Sequence, residues 1–306
     1  MAVEATRRMV LVHAHPDDES ITNGATMARY AAEGAQVTLI TCTRGEQGEI
    51  IPADLAHLAA DRDGGLGEYR VGELAAAMSA LGVRDHRFLD ETDHGFGPVR
   101  YQDSGMAYGP NREVIPAPDP PADAFALVAV DGAAARVAAV IREVRPQVVI
   151  TYEPGGGYGH PDHVQAHRVA MRGVDLAEQP GPGGEAWRVP KVYWSVVPER
   201  GMRAVIESMN AEGNPFADWD TDRLPSMAIP DEQVSTVVDG LAYYDAKAAA
   251  MLAHASQISV EDPFFALSNG VGRPLMATEF YQLVRGESAG ERDPDGRETD
   301  LFAGVA

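Results

Sequence analysis

The chain has 306 residues, with 25 basic against 46 acidic side chains and a net charge of −21. That length suits one large domain, or a domain with an appended subdomain, and so acidic a surface repels phosphate backbones and anionic lipid heads, which sets nucleic acid and membrane partners aside. The single cysteine, Cys42, excludes an intrachain disulfide and a cysteine-only metal site, and the chain lacks a long apolar span or an apolar signal core near its start, so a cytoplasmic location is expected.

Met9 to Ala14 is a short, mostly apolar run that predicts a buried strand. Ser20 to Glu33 reads as a helix stopped by Gly34, and Gln36 to Cys42 as a second buried strand. A helix is expected over Leu66 to Leu81, where Leu74, Met78 and Leu81 share a face, and a third strand over His86 to Leu89. Ala107 to Asp123 is rich in Pro, Gly and Asp and reads as a long loop. Val137, Val140, Ile141 and Val144 mark a helix ended by Pro146, and Gln147 to Tyr152 is the next strand. Glu178 to Gly184 is again a loop, followed by a strand at Val192 to Val197 and helices near Met202 to Asn210 and Leu241 to His254. Strands alternating with helices predict an α/β fold, a Rossmann-like and mostly parallel sheet flanked by helices, over residues 1–198. Residues 199–306 are expected to form a smaller α+β subdomain that completes the substrate pocket.

Two short segments carry the chemistry. His15-Pro16-Asp17-Asp18-Glu19 follows the first strand, and His160-Pro161-Asp162-His163 follows the strand ending at Tyr152. In open α/β sheets, ligands bind just past the carboxyl ends of strands. A catalytic zinc takes three N or O ligands and keeps a position open for water. His15, Asp18 and His163 are the candidate ligands. Fe(II) would suit the same donors. Asp17 lies between the first two ligands and is the candidate base for the activated water. His160 is expected either to carry a proton to the leaving amine or to stabilise an oxyanion as imidazolium, with Asp162 hydrogen-bonded to its ring. Tyr158, in Gly155-Gly156-Gly157-Tyr158-Gly159, is a candidate to polarise a scissile carbonyl, and the glycines permit an unusual turn. His13 is expected to be a satisfied histidine of the core or a support behind the metal ligands. His57, His86, His94, His167 and His254 receive no role. A dinucleotide-binding oxidoreductase is disfavoured, because His-Pro-Asp-Asp stands where a Gly-rich turn would be needed.

These residues resemble the LmbE-like (PIG-L) zinc deacetylases. Thr41 to Glu49, Tyr69 to Leu74, Asp103 to Met106, Ala266 to Asn269 and Glu298 to Leu301 extend the resemblance toward the mycothiol-biosynthesis branch of that family. It implies removal of acetyl from N-acetylglucosaminyl-inositol, a small amino-sugar inositol substrate. It also implies that Arg70 and Asp103 contact sugar and inositol hydroxyls, that Met106 lines the pocket mouth and that Glu49 approaches the ligand. The mycothiol S-conjugate amidases share both metal motifs. Ser20 to Gly24 and Tyr158-Gly159-His160 resemble the deacetylases more than the amidases.

Overall fold

The computed structural model describes residues 7–110, 113–220 and 222–305. The chain begins with strand β1 (Arg8–His13), helix α1 (Asp18–Ala32), β2 (Gln36–Thr41), α2 (Leu66–Leu81) and β3 (Asp85–Phe88). A small hairpin, β4 (Met106–Tyr108) with β5 (Val114–Pro116), interrupts the expected loop. Then come α3 (Val130–Val144), β6 (Val148–Tyr152), a short helical turn α4 (Gly156–Gly159), α5 (Pro161–Ala177) and β7 (Lys191–Pro198). The last third supplies α6 (Glu199–Glu212), β8 (Ala228–Ile229), β9 (Thr236–Asp239), α7 (Tyr244–Ala253) and β10 to β13 (Ser259–Glu261, Phe264–Ala266, Gly272–Pro274, Thr278–Arg285). Among the described residues, no helix is long and apolar enough to cross a membrane.

The main sheet runs β3-β2-β1-β6-β7-β13-β9, with β8 pairing the end of β7. The five strands from β3 to β7 are mutually parallel, and β13 runs antiparallel between β7 and β9. The continuous apolar runs make sense in this setting, because a parallel sheet is covered on both faces. Val10 and Val12 of β1, with Val149 of β6, point into a core built with α3 and α5. Met9 and Leu11 of β1, with Val148 and Ile150 of β6, point the other way, into a core shared with α1, α2 and α7. Burying each such side chain contributes roughly 1.5–3 kcal/mol.

The C-terminal third is tied to the sheet by buried charge. Lys191 on β7 meets Glu298 at 2.7 Å, and Lys247 on α7 meets Glu279 on β13 at 2.7 Å. All four side chains are almost fully buried. Glu279 also accepts from the backbone N–H groups of Ala25, at the oxygen that meets Lys247, and of Thr26, at its other oxygen. One further element departs from the sequence expectations: helix α5 follows the second motif directly, where no helix is expected. The helix expected over 241–254 is present, as a tight helical turn over Leu241–Tyr243 leading into α7.

Candidate metal centre and active site

The sheet order reverses between β1 and β6. From β1 the chain proceeds outward to β2 and β3, and from β6 it proceeds the other way to β7. Such a switch point leaves a crevice at the carboxyl ends of the two strands. The turn after β1 carries His15 to Asp18, and the turn after β6 leads to His160 and His163.

Three donors converge there. His163 Nε2 is 3.2 Å from His15 Nδ1 and 3.2 Å from Asp18 Oδ1, and His15 Nδ1 is 3.5 Å from Asp18 Oδ2. The rings of His15 and His163 have centroids 5.2 Å apart. A tetrahedral ion with bonds of ~2.0–2.1 Å needs its ligand atoms ~3.3 Å apart, so the spacing and the donor types suit zinc. Each donor is aimed by a partner. His163 Nδ1 lies 3.0 Å from the carbonyl of Gly156, which puts the proton on Nδ1 and leaves Nε2 bare. That approach requires glycine: Gly156 has φ +68, and a Cβ there would lie 2.7 Å from the Cβ of His163. Asp18 Oδ2 accepts from the Tyr152 hydroxyl at 2.7 Å and from the His15 N–H at 2.9 Å. Tyr152 also stacks on the His163 ring, with centroids 4.5 Å apart. Burial opposes the charge on Asp18, but His163 and His15 outweigh it and hold the carboxyl well below its usual range.

The far side of His15 faces carboxylates. Its Nε2 lies 3.2 Å from Asp162 Oδ2 and 3.5 Å from Asp103 Oδ1. Burial works against a charged His15, yet Asp103, Asp162 and Asp18 together hold it well above its ordinary value. Asp162 was expected behind His160. Its carboxylate instead serves His15 and accepts from the Ser104 N–H at 2.8 Å and from the Ser104 hydroxyl. Only the backbone of Asp162 meets His160, donating its N–H to Nδ1 at 3.1 Å as α5 begins. The ring of His160 therefore carries its proton on Nε2. Burial, then the neighbouring His15 and His163, push it well below the normal imidazole range. Both influences favour the neutral ring over the imidazolium. Besides the set around Asp18, two groupings of donor atoms lie within 4.8 Å: His15, His160 and His163, and His15, Asp103, His160 and Asp162. In the second grouping every carboxylate oxygen already accepts from Ser104, Gly105 or Gln47, whereas Asp18 Oδ2 takes the Tyr152 and His15 bonds and Asp18 Oδ1 is left facing His163.

Asp17 stands beside these donors in a strained conformation, φ 123 and ψ −33. Such a backbone costs of order 1–3 kcal/mol and persists only where the surroundings impose it. The Arg70 guanidinium lies 3.1 Å from Asp17 Oδ2 and also donates to the carbonyls of Pro16 and Gly45. Burial raises Asp17 to about 6 against the opposing pull of Arg70. Glu19, next along, is driven the other way: burial raises it, but His254 overrides this and holds it at about 2. Tyr158 borders the donors, its ring 5.0 Å from His163 and 6.2 Å from His160, and is 42% exposed.

The residues expected to touch substrate divide. Arg70 and Asp103 are buried and committed to Asp17 and to His15, Gln47 and Gly105. Glu49 is exposed and lines a cleft of about 510 Å³ together with Ile50, Ile51, Phe216 and residues 266–268 and 270. None of the three metal donors lines that cleft, so its volume alone would not have located the chemistry. Met106 is half-buried at the start of β4. Sequence reasoning missed Tyr152, Ser104 and His254. Tyr152 closes its strand six residues before Tyr158, but nothing local marks it as a partner of Asp18. His13 was expected to be satisfied; it is fully buried, edge-on to Tyr152, and neither ring nitrogen has a hydrogen-bond partner among the described residues.

Residues 10–174 match the PIG-L family, described as GlcNAc-PI de-N-acetylase. The chain is similar along nearly its whole length to proteins named 1D-myo-inositol 2-acetamido-2-deoxy-alpha-D-glucopyranoside deacetylase. That of Geodermatophilus obscurus is 56% identical, with 98% of both chains covered. That of Streptomyces avermitilis is 54% identical, again with 98% of both covered, and that of Thermobifida fusca is 50% identical, with 97% of this chain and 99% of the relative covered. Among solved structures, a deacetylase–teicoplanin complex has a TM-score of 0.52 at 19% identity, covering 92% of this chain and 99% of its own. The GalB 4-carboxy-2-hydroxymuconate hydratase of Pseudomonas putida has a TM-score of 0.54 at 19% identity, covering 94% and 100%. A hydratase and a deacetylase on one scaffold show that these two structural likenesses speak for the fold alone. With the family match spanning more than half of the chain and relatives above 50% identity end to end, this protein belongs to the PIG-L family of de-N-acetylases.

Proposed function

We propose that the chain is a zinc-dependent deacetylase that hydrolyses the acetamide of N-acetylglucosaminyl-inositol to glucosaminyl-inositol and acetate, as a step in mycothiol biosynthesis in the cytoplasm. The observation that carries the reading is the convergence of His15 Nδ1, Asp18 and His163 Nε2 with Asp17 beside them. The names of the full-length relatives support the substrate. Fe(II) fits the same donor set.

His15, Asp18 and His163 would hold the ion. When bound, it polarises the acetyl carbonyl and makes water a stronger acid. Asp17, aimed by Arg70, takes a proton from the attacking water and returns it to the departing nitrogen. The Nε2–H of His160 and the Tyr158 hydroxyl donate to the oxygen on which charge grows, each worth ~3–4 kcal/mol if well aligned. Asp162 and Asp103 steady His15 from behind. In our reading Glu49 and Met106 meet the sugar or inositol, while Arg70 and Asp103 serve Asp17 and His15. Residues 199–306 complete the pocket, with Phe216 and residues 266–268 and 270 lining the cleft that Glu49 also lines.

Acetate release from N-acetylglucosaminyl-inositol, measured beside a mycothiol S-conjugate and simple acetamido sugars, tests the proposal. The inositol sugar should turn over fastest, and a chelator should stop the reaction until zinc is restored. Faster turnover of the conjugate would make the chain an amidase.

A further inference from the structure

Asp17 would not hold its positive-φ turn unaided. Its backbone N–H donates to Glu19 Oε2 at 3.0 Å. The other oxygen of Glu19 accepts from the Ser20 hydroxyl at 2.7 Å and meets His254 Nε2 at 2.8 Å. The side chains of Glu19 and His254 are both 0% exposed. His254 follows α7, far along the chain, and its carbonyl accepts the N–H groups of Gln257 and Ile258 at 2.9 Å. Ser256, within that turn, is fixed to Glu73 of α2 by its N–H at 2.8 Å and its hydroxyl at 2.7 Å. Helix α2 also carries Arg70, which meets the Asp17 carboxylate. Asp17 is thus gripped twice, at its backbone and at its side chain, and both grips lead back to α2.

A simpler account makes Glu19 a helix cap, an acid in the first turn of α1 reaching back to the residue before the helix. That account explains the bond to Asp17 but gives no reason for a buried imidazole from the other end of the chain. Nor does it predict any dependence on Asp17.

We infer that the buried Glu19–His254 pair is a positioning device for Asp17, holding its turn so that the carboxylate faces the reacting water. The inference rests on the reading of Asp17 as the base. Glu19 and His254 are positioning residues, since neither touches the reacting atoms.

Steady-state kinetics and zinc content of the full-length, zinc-loaded enzyme on N-acetylglucosaminyl-inositol test it. Glu19→Ala and His254→Ala should each lower kcat about 10–100-fold, the scale of a misplaced catalytic group. KM and zinc content should stay within about twofold of the parent, and so should Asp17→Ala/Glu19→Ala relative to Asp17→Ala alone. His254→Gln, which can keep an N–H near the Nε2 position, should recover most of kcat. Zinc lost in step with kcat, or an equal Glu19→Ala penalty in the Asp17→Ala background, would overturn the inference and leave Glu19 as support for Asp18 or the fold. Parent-like kcat in either single variant would overturn it too. If Glu19→Ala does not fold, Asp17→Ala/His254→Ala against Asp17→Ala gives the same comparison. Full activity of Asp17→Ala would instead sink the assignment of the base. An inactive Asp17→Ala beside a fully active His254→Ala would sink only the positioning role.

Discussion

The two motif-bearing turns are built in opposite ways. The turn after β6 is held mainly by near neighbours: Gly156 aims His163, and the N–H of Asp162 aims His160 at the start of α5. The turn after β1 is held from afar. Tyr152, Arg70, Asp162 and His254, from four separate elements or connections, reach in to fix Asp18, Asp17, His15 and Glu19. A helix N-terminus carries its own geometry, with Pro161 preset for the first helical position. A strained turn has none and must borrow it. Changes around the second turn should therefore act on metal binding through one contact. Changes around the first should act on catalysis from many points in the chain.

The largest effect is expected at the shared centre. His163→Ala should abolish both zinc binding and acetate release, read by metal analysis and assay of the same sample. Zinc retained at parental affinity would remove His163 from the ligand set. Asp17→Ala should keep zinc and lose about 10²–10⁴ in kcat, the usual worth of general acid–base help. Equal loss of metal would make Asp17 a ligand and erase the distinction between holding the ion and using it. On the locally built side, Gly156→Ala forces a Cβ against His163 in a positive-φ position and should weaken zinc affinity about 10–100-fold. Competition with a chromogenic chelator measures this, and unchanged affinity would show that the His163–Gly156 contact is dispensable. The smallest catalytic effect belongs away from both turns. Glu298→Ala leaves Lys191 buried without its partner and should cost about 3–5 kcal/mol of stability, seen in denaturant melts, with kcat per folded molecule unchanged.

Much of this organisation was legible in the sequence. The apolar runs of β1, β2, β6 and β7 marked their strands to within a residue or so, because a doubly covered sheet leaves no polar alternation to blur them. The convergence of His15, Asp18 and His163 followed from placing both motifs at strand ends. Helix α5 was not, because His160 to His163 read as a site motif and concealed a helix start with Pro161 in its first turn. The hairpin β4–β5 was hidden by the Pro and Gly content of its surroundings. The partners of the motif residues were the least accessible. Asp162 was assigned to the adjacent His160, whereas its carboxylate reaches His15 across the crevice. Ser104, Tyr152 and His254 have no local signature, since their roles arise only when distant elements pack.

The central claim is that one divalent cation sits among His15 Nδ1, Asp18 and His163 Nε2. X-ray data from zinc-soaked crystals at the zinc absorption edge test it most directly. A single anomalous peak is expected within ~2.0–2.2 Å of those three donors. A peak held instead by Asp103, His160 and Asp162, or none where zinc-dependent activity is present, would contradict it.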